Sequence, residues 1–430
     1  MCSKLNSWSV ALFRGLVLAL PGLALQAAPA PYGEDFVRTG AQWDEGGLAW
    51  LELSAKTTEP QDVEPFVRQV ESLEQAGGPY ADGLAEPLAS LGRHYRQSGD
   101  YQQAVSLYRR AMHVVRINDG LGSARQIPLL RELLLSYRQA GDLEALDERY
   151  DYYFHLFGNG RPPFTPARLR AAREYMRWQR EAVRLNQGAS EKRLLELIEL
   201  NEDILQAIQL QADVPYHWRR DFSYSQMLNH YLLLQRLEPT VSERQLLTSR
   251  EYMGSLQAVQ SLEDQKLDLR LRSAPARIAG MLEELAVAAA IQGPVEEAAV
   301  QLSLADWSFW TGNKRQAEIA YRQVVEILNG AGEDALLQQW LGEPVELPDN
   351  GVFWQAETAP DVATVTVEAR YDVSALGRVS ELQTRIPDGT DDRSLYRFRR
   401  KLLSTLFRPR WVTGEPEAVA SIARHYRILD

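Results

Sequence analysis

Apolar and small residues between Leu84 and Ala111 recur at steps of three and four. Leu88, Leu91, Gly92 and Tyr95 share one face of a first predicted helix, and Ala104, Tyr108 and Ala111 share one face of a second. That spacing gives each helix one apolar face, and the two faces bury each other when the helices fold back to back. Gly99-Asp100 lies between them. Glycine suits the left-handed position just past a helix end, and aspartate is a good N-cap, here with Gln103 in an approximate capping box. The register returns in Leu130, Leu133, Leu134, Tyr137, Gly141-Asp142, Leu146 and Tyr150. Gly99 precedes Tyr108 by nine residues, Gly141 precedes Tyr150 by nine, and Gly312 precedes Tyr321 by nine. The last offset, with Ala305 and Ala317, places another hairpin between Ala298 and Asn329, with Ser308 where the first has a tyrosine.

Helical periodicity continues along the chain. One amphipathic helix is predicted from Val63 to Gln75, closed by Gly77-Gly78. Arg161 to Phe164 is a break, after which Thr165 caps a helix with Pro166 at its first position, running to about Asn186. Further helices are predicted from Ser190 to Gln211 and from Tyr216 to Arg236, the latter ending before Pro239. Ser242 with Gln245 reads as a capping box that opens another. Pro275 and Gly293-Pro294 punctuate the remainder. Long helices in antiparallel succession suit an α-solenoid or bundle. The C-terminus changes period. Gly342 to Pro360, with Pro344, Pro348 and Asn350-Gly351, reads as a linker. Val362 to Val373 alternates as a strand, Gly377 turns the chain into a second strand from Arg378 to Ile386, and Asp391-Asp392 opens a helix to about Leu406. Gly414-Glu415-Pro416 turns into a last strand from Ala418 to Ile428. The fold class is mostly α, ending in a small β-β-α-β unit.

Two resemblances follow. The first hairpin resembles the tetratricopeptide repeat, a helix–turn–helix unit of about 34 residues, carried by Leu88, Leu91, Gly92, Tyr95, Ala104, Tyr108 and Ala111. Arg116 stands where that repeat usually has a proline. Tyr95 and Tyr137 are 42 residues apart, and the excess falls in the turn INDGLGSARQ. The C-terminal unit resembles the TonB C-terminal domain through Val365, Val367, Tyr371 and Val373, through Gly377 with Val379, and through Phe407-Arg408-Pro409 followed, after four intervening residues, by Gly414-Glu415-Pro416. The unit departs from that family in lacking a clear opening helix, and the chain is expected to lack a Pro-rich spacer and a persistent anchor with an intramembrane histidine. The expected organisation is a signal peptide at 1–28, a helical lead-in at 29–80, two tetratricopeptide-like repeats at 81–160, a helical extension at 161–341 that includes a degenerate repeat at 298–331, a linker at 342–361, and a TonB-C-terminal-like unit at 362–430. The second resemblance implies binding by pairing a strand edge with an extended peptide.

Composition changes this picture little at the fold level and more at the level of location. Hydrophobic content of 45% and charged content of 24% over 430 residues are those of globular protein with a large core. Met1 to Arg14 carries only Lys4 and Arg14, Gly15 to Leu25 is apolar, and Ala27-Ala28 follows, which reads as an export signal cleaved near Ala27 or Ala28. The rival reading spans Val10 to Leu25 as an uncleaved anchor. Loss of the segment also removes Cys2, the single cysteine. A periplasmic location is expected, with no stable membrane span after cleavage. Net charge of -11 argues against nucleic-acid binding.

The sequence contains none of the motifs G-x-S-x-G, H-E-x-x-H, G-x-G-x-x-G or a Walker loop. His94, His113, His155, His217, His230 and His425 are scattered, so neither a metal nor a cofactor is expected. Glu283-Glu284 and Glu296-Glu297 read as solvated helix faces, and the basic run Arg393, Arg397, Arg399, Arg400, Lys401 as one that balances Glu381 and Asp391, with a binding role as the alternative. One constellation rises above this background. The tetratricopeptide resemblance implies that the first helix of each hairpin lines an inner groove. It would present Glu86, Ala89, Arg93, Arg96 and Gln97 from the first repeat, and Arg131, Leu135, Arg138 and Gln139 from the second. Four arginines on one surface would hold carboxylates or phosphates, so an acidic protein or peptide, or an anionic glycan, is expected as partner. The reading at this level is a non-catalytic periplasmic adaptor, with an envelope or outer-membrane protein as partner of the C-terminal unit. The alternative is a TonB-related energy-transduction or outer-membrane transport accessory protein held by an uncleaved N-terminal anchor.

Overall fold

The computed structural model describes residues 63–211, 214–251, 262–350, 352, 364–386 and 392–429. The expected signal peptide, the lead-in before residue 63 and most of the linker after residue 350 lie outside these. Among the described residues there are thirteen helices and seven strands. The helices are α1 (Glu64–Gly77), α2 (Ala85–Gln97), α3 (Tyr101–Asp119), α4 (Gln126–Ala140), α5 (Leu143–Leu156), α6 (Pro166–Arg184), α7 (Ser190–Gln209), α8 (Tyr216–Glu251), α9 (Leu262–Ala290), α10 (Pro294–Trp310), α11 (Lys314–Ala331), α12 (Asp334–Leu341) and α13 (Asp392–Ser404). Each of α1 to α11 packs on the next, and α4 and α8 also touch α2 and α6 respectively. This is a stack of helical hairpins, as the periodicity requires.

The hairpin turns repeat atom for atom. The Asp100 amide bonds Tyr95 O at 2.9 Å, the Asp142 amide bonds Tyr137 O at 3.0 Å, and the Asn313 amide bonds Ser308 O at 2.8 Å. Gly99, Gly141 and Gly312 sit at φ 85°, 72° and 88°. Asp100, Asp142 and Asn313 then accept the backbone amides of Gln103, Ala145 and Gln316. Each turn thus satisfies the carbonyls ending one helix and the amides opening the next. Tyr108 and Tyr321 are fully buried and Tyr150 nearly so, nine residues after each glycine. In the first hairpin, Gly92 lets α3 approach α2: a Cβ there would lie 2.9 Å from the Tyr108 ring.

Two boundaries differ from expectation. The helix from Tyr216 does not stop before Pro239 but continues to Glu251, so Ser242 is interior to α8 and opens no new helix. Pro275 likewise lies inside α9. A proline loses its own amide bond and crowds the carbonyl four residues back; in α9, burial of Leu271 and Ala274 before Pro275 and of Ile278 and Leu282 after it holds the helix across that site.

The C-terminal unit has the expected order. β2 (Thr364–Val373) is the central strand, between β3 (Val379–Arg385) and β7 (Val419–Leu429), and both pairings are antiparallel. α13 covers one face through Phe398 and Leu402, which join Val367, Tyr371 and Tyr426. The Gly-Glu-Pro segment is not itself the turn. Thr413-Gly414, both at positive φ, turns a small hairpin of β5 (Arg410–Val412) and β6 (Glu415–Glu417).

The expected linker is only in part a connection. Val345–Glu346 forms β1 and pairs with β4 (Phe407–Arg408), and Leu347 and Val352 are buried. The Phe-Arg-Pro segment, which follows the predicted helix, is a plug. Phe407 fills the unit's own core, while Arg408 reaches Asp306 of α10 at 2.7 Å and Asp349 at 3.5 Å. Trp411 packs on Tyr321 of α11, with ring centroids 4.9 Å apart. The unit is therefore docked on the last hairpin.

Candidate partner-binding surface

The residues expected to line the groove occupy α2 and α4, and the structure divides them. Glu86, Arg93 and Gln97 face solvent from α2. Arg96 is 4% exposed; its guanidinium meets Glu132 of α4 at 3.3 Å and donates to the Gln139 side chain at 3.4 Å. Arg131 donates to the Tyr153 hydroxyl at 3.1 Å and to Glu174 of α6 at 3.3 Å. Arg138 makes a two-pronged contact with Glu181 of α6 and stacks over Trp178, 5.5 Å from the ring centre. So the expectation of four arginines open to an acidic ligand is corrected. Arg96, Arg131 and Arg138 are already held by carboxylates of the first helix of the next hairpin, and Gln139 is half-buried as a partner of Arg96. The cause is the tightness of the stack, which brings each first helix within side-chain reach of the next.

This contact is a ladder. Arg173 of α6 pairs with Asp221 of α8, Arg180 donates to Ser225 at 2.7 Å and to Asn229 at 3.0 Å, and Arg220 of α8 reaches Glu296 of α10 at 3.2 Å. Two rows of arginines thus join α2, α4, α6, α8 and α10. Burial alone would lower the Arg138 pKa, but Glu181 outweighs it and holds the guanidinium above its ordinary value. Burial raises the Glu174 carboxyl, with Arg131 and Tyr153 opposing. Removing one member therefore strands a buried charge.

The ladder has a sequence signal that the hairpin reading did not use. Arg96, Arg138 and Arg180 are 42 residues apart, as are Arg131 and Arg173, and Glu132 and Glu174. That period makes α6–α7 a repeat in register with the first two. It also identifies what remains open on the same face. Arg170 is exposed and Arg177 half-buried on α6, 84 residues after Glu86 and Arg93 respectively.

A cleft of about 270 Å³ lies between α5, α6 and α7, lined by Asp147, Asp151, Tyr175, Gln179, Arg193 and Glu196. Its charges are engaged with one another. Arg193 holds Asp147 through two contacts of 2.9 and 2.7 Å, and Tyr175 donates to Asp151 at 3.0 Å. Among the described residues, no group of three or more His, Cys, Asp or Glu is placed to hold a metal ion, and no helix is long and apolar enough to cross a membrane.

A second surface is the edge of the sheet. Among the described residues, β7 pairs with β2 on one side and with no strand on the other.

No family model and no curated protein matches the sequence. Among solved structures, the chain is similar to a Podosopora anserina kinesin light chain-like protein of nearly identical TPR-like repeats, at 17% identity and a TM-score of 0.34, over 59% of this chain and 97% of that one. A single-substitution form of the same protein gives 18% identity and the same TM-score and coverage.

Proposed function

We propose that the chain is a non-catalytic interaction scaffold of the cell envelope, working in the periplasm. The observation that carries this reading is the ladder. Arginine–carboxylate contacts, most deeply buried at Arg138–Glu181, fix each first helix to the next, so the hairpins present one preorganised surface, and preorganisation lowers the ordering cost of binding a partner. Glu86, Arg93, Gln97, Arg170 and Arg177 stand on that surface. Its open cations favour an acidic protein segment. The outer edge of β7 supplies a second surface, where an extended peptide of an envelope or outer-membrane protein adds as a strand. The signal-like pattern of residues 1–28 supports the location.

The test of the helical face is a crosslinking pull-down from periplasm with wild type and with Arg93→Glu/Arg170→Glu. Both substitutions spare the ladder, so melting curves should match. Loss of a partner in the variant is expected; an unchanged set of partners removes this face from the reading. The TonB-related transducer needs the N-terminal segment to persist. Mass spectrometry of the mature protein separates the two: a chain starting near Ala28 supports the periplasmic scaffold, and one retaining Met1 supports the transducer.

A further inference from the structure

We propose that the outward face of α13 docks on anionic phospholipid membranes. The inner face of this helix is satisfied, with Phe398 and Leu402 buried in the core of the C-terminal unit. The outer face is unusual. Tyr396 is 67% and Leu403 46% exposed, and both lie among the exposed Arg397, Arg399 and Arg400. At about 100° per residue, positions seven apart nearly eclipse, so Tyr396 and Leu403 form one stripe with Arg399 on one flank and Arg400 on the other. The Arg399 guanidinium leans back to the Thr384 hydroxyl of β3 at 3.0 Å. Arg400 makes no hydrogen bond or ion pair among the described residues.

Charge separates this unit from the rest of the chain. Residues 362–430 contain twelve Arg and Lys against nine Asp and Glu, net +3, in a chain of net charge -11. The repeats would therefore be repelled by an anionic surface while this helix is attracted, which orients the molecule with its C-terminal unit on the membrane. The mixture of groups points to lipid in particular. Phospholipid headgroups take arginines at the phosphate level, and a tyrosine ring and a leucine tip reach the acyl boundary below them. A purely polar acidic ligand would leave Tyr396 and Leu403 without a role. This inference is independent of the helical-face reading above, because it uses different residues and a different ligand.

The experiment is vesicle flotation of the chain from residue 29 onward, the form expected after export. The vesicles are phosphatidylcholine alone or with about 30% phosphatidylglycerol, at about 50 and 500 mM NaCl. Flotation is expected only with phosphatidylglycerol and low salt, falling more than tenfold in Arg397→Glu/Arg400→Glu. It should fall also in Tyr396→Ser/Leu403→Ser, which keeps every charge, and stay unchanged in Arg93→Glu/Arg170→Glu. Circular dichroism checks that each variant is folded; if the charge reversal is not, the Tyr396→Ser/Leu403→Ser pair decides. Absence of flotation, equal flotation on both vesicle types, or a folded α13 variant that floats like wild type overturns the proposal. If wild type does not float but the charge reversal loses a protein crosslink, the face belongs to an acidic protein instead.

Discussion

His230 shows what burial does to a single side chain. It is 3% exposed in α8, and its Nδ1–H donates to the Gln226 carbonyl at 2.8 Å. Burial, with Arg277 and Arg270 nearby, lowers its pKa to about 4, so it folds as the neutral ring. The unfolded chain, with an ordinary histidine near 6.5, binds the proton first. Stability from this group is complete above about pH 6.5 and is lost as pH falls toward 4. Urea unfolding at pH 7 and pH 5 should therefore show wild type losing about 2 kcal/mol more than His230→Gln. The buried carboxyls of Glu174 and Asp306, both raised by burial, act in the opposite direction and are common to both proteins. Gly92 is a steric counterpart. Its missing Cβ would press on a fully buried tyrosine ring, so Gly92→Ala is expected to destabilise by about 1–3 kcal/mol in chemical denaturation.

At the scale of the element, turn and ladder act separately. The turn chemistry is local. Asp142→Ala removes a cap that satisfies the Ala145 amide and should cost about 1 kcal/mol, leaving the ladder intact. The ladder is not local. Arg138→Met leaves Glu181, 1% exposed, without its charge partner, and is expected to cost about 3–5 kcal/mol. Arg138→Met/Glu181→Gln should recover much of that loss, and a thermal melt of the two variants checks it. This is why the groove arginines of the sequence reading are poor probes of binding. Charge reversal at Arg96, Arg131 or Arg138 would unfold the repeats before it changed a partner. Hairpin existence was legible because glycine, aspartate and tyrosine occupy fixed offsets that local backbone geometry demands. The use of each arginine was not, because an arginine on a helix face has the same sequence signature whether the next helix supplies a carboxylate or solvent does. The 42-residue recurrence of Arg-Glu was the available clue.

At the scale of the whole molecule, the decisive contact is between Arg408 and Asp306. Asp306 also accepts the Tyr321 hydroxyl at 2.7 Å, so one buried carboxylate joins α10, α11 and the Phe-Arg-Pro plug. Gly377 adds a steric lock: at φ +69°, its missing Cβ would run into the Phe407 carbonyl oxygen and lie 2.9 Å from the Phe309 ring of α10. Arg408→Met should therefore destabilise by about 3–5 kcal/mol, and adding Asp306→Asn should restore part of it. Guanidinium unfolding followed by near-ultraviolet circular dichroism would detect this, because Trp411 and Tyr321 report the junction. If Arg408→Met melts like wild type, the C-terminal unit is not held by this plug.

By itself, the sequence determined the hairpins, their capped turns, the buried tyrosines and the β-β-α-β order. Each of these is set by interactions within a few residues or by a face that must be buried. Tertiary structure alone decided that Pro239 and Pro275 are carried inside helices, that three groove arginines are internal, and that Phe407-Arg408-Pro409 is a plug between two parts of the chain. Those outcomes depend on which distant side chain arrives opposite. A buried charge is stable only beside its partner, and that partner lies 43 residues away for Arg138 and 102 for Arg408.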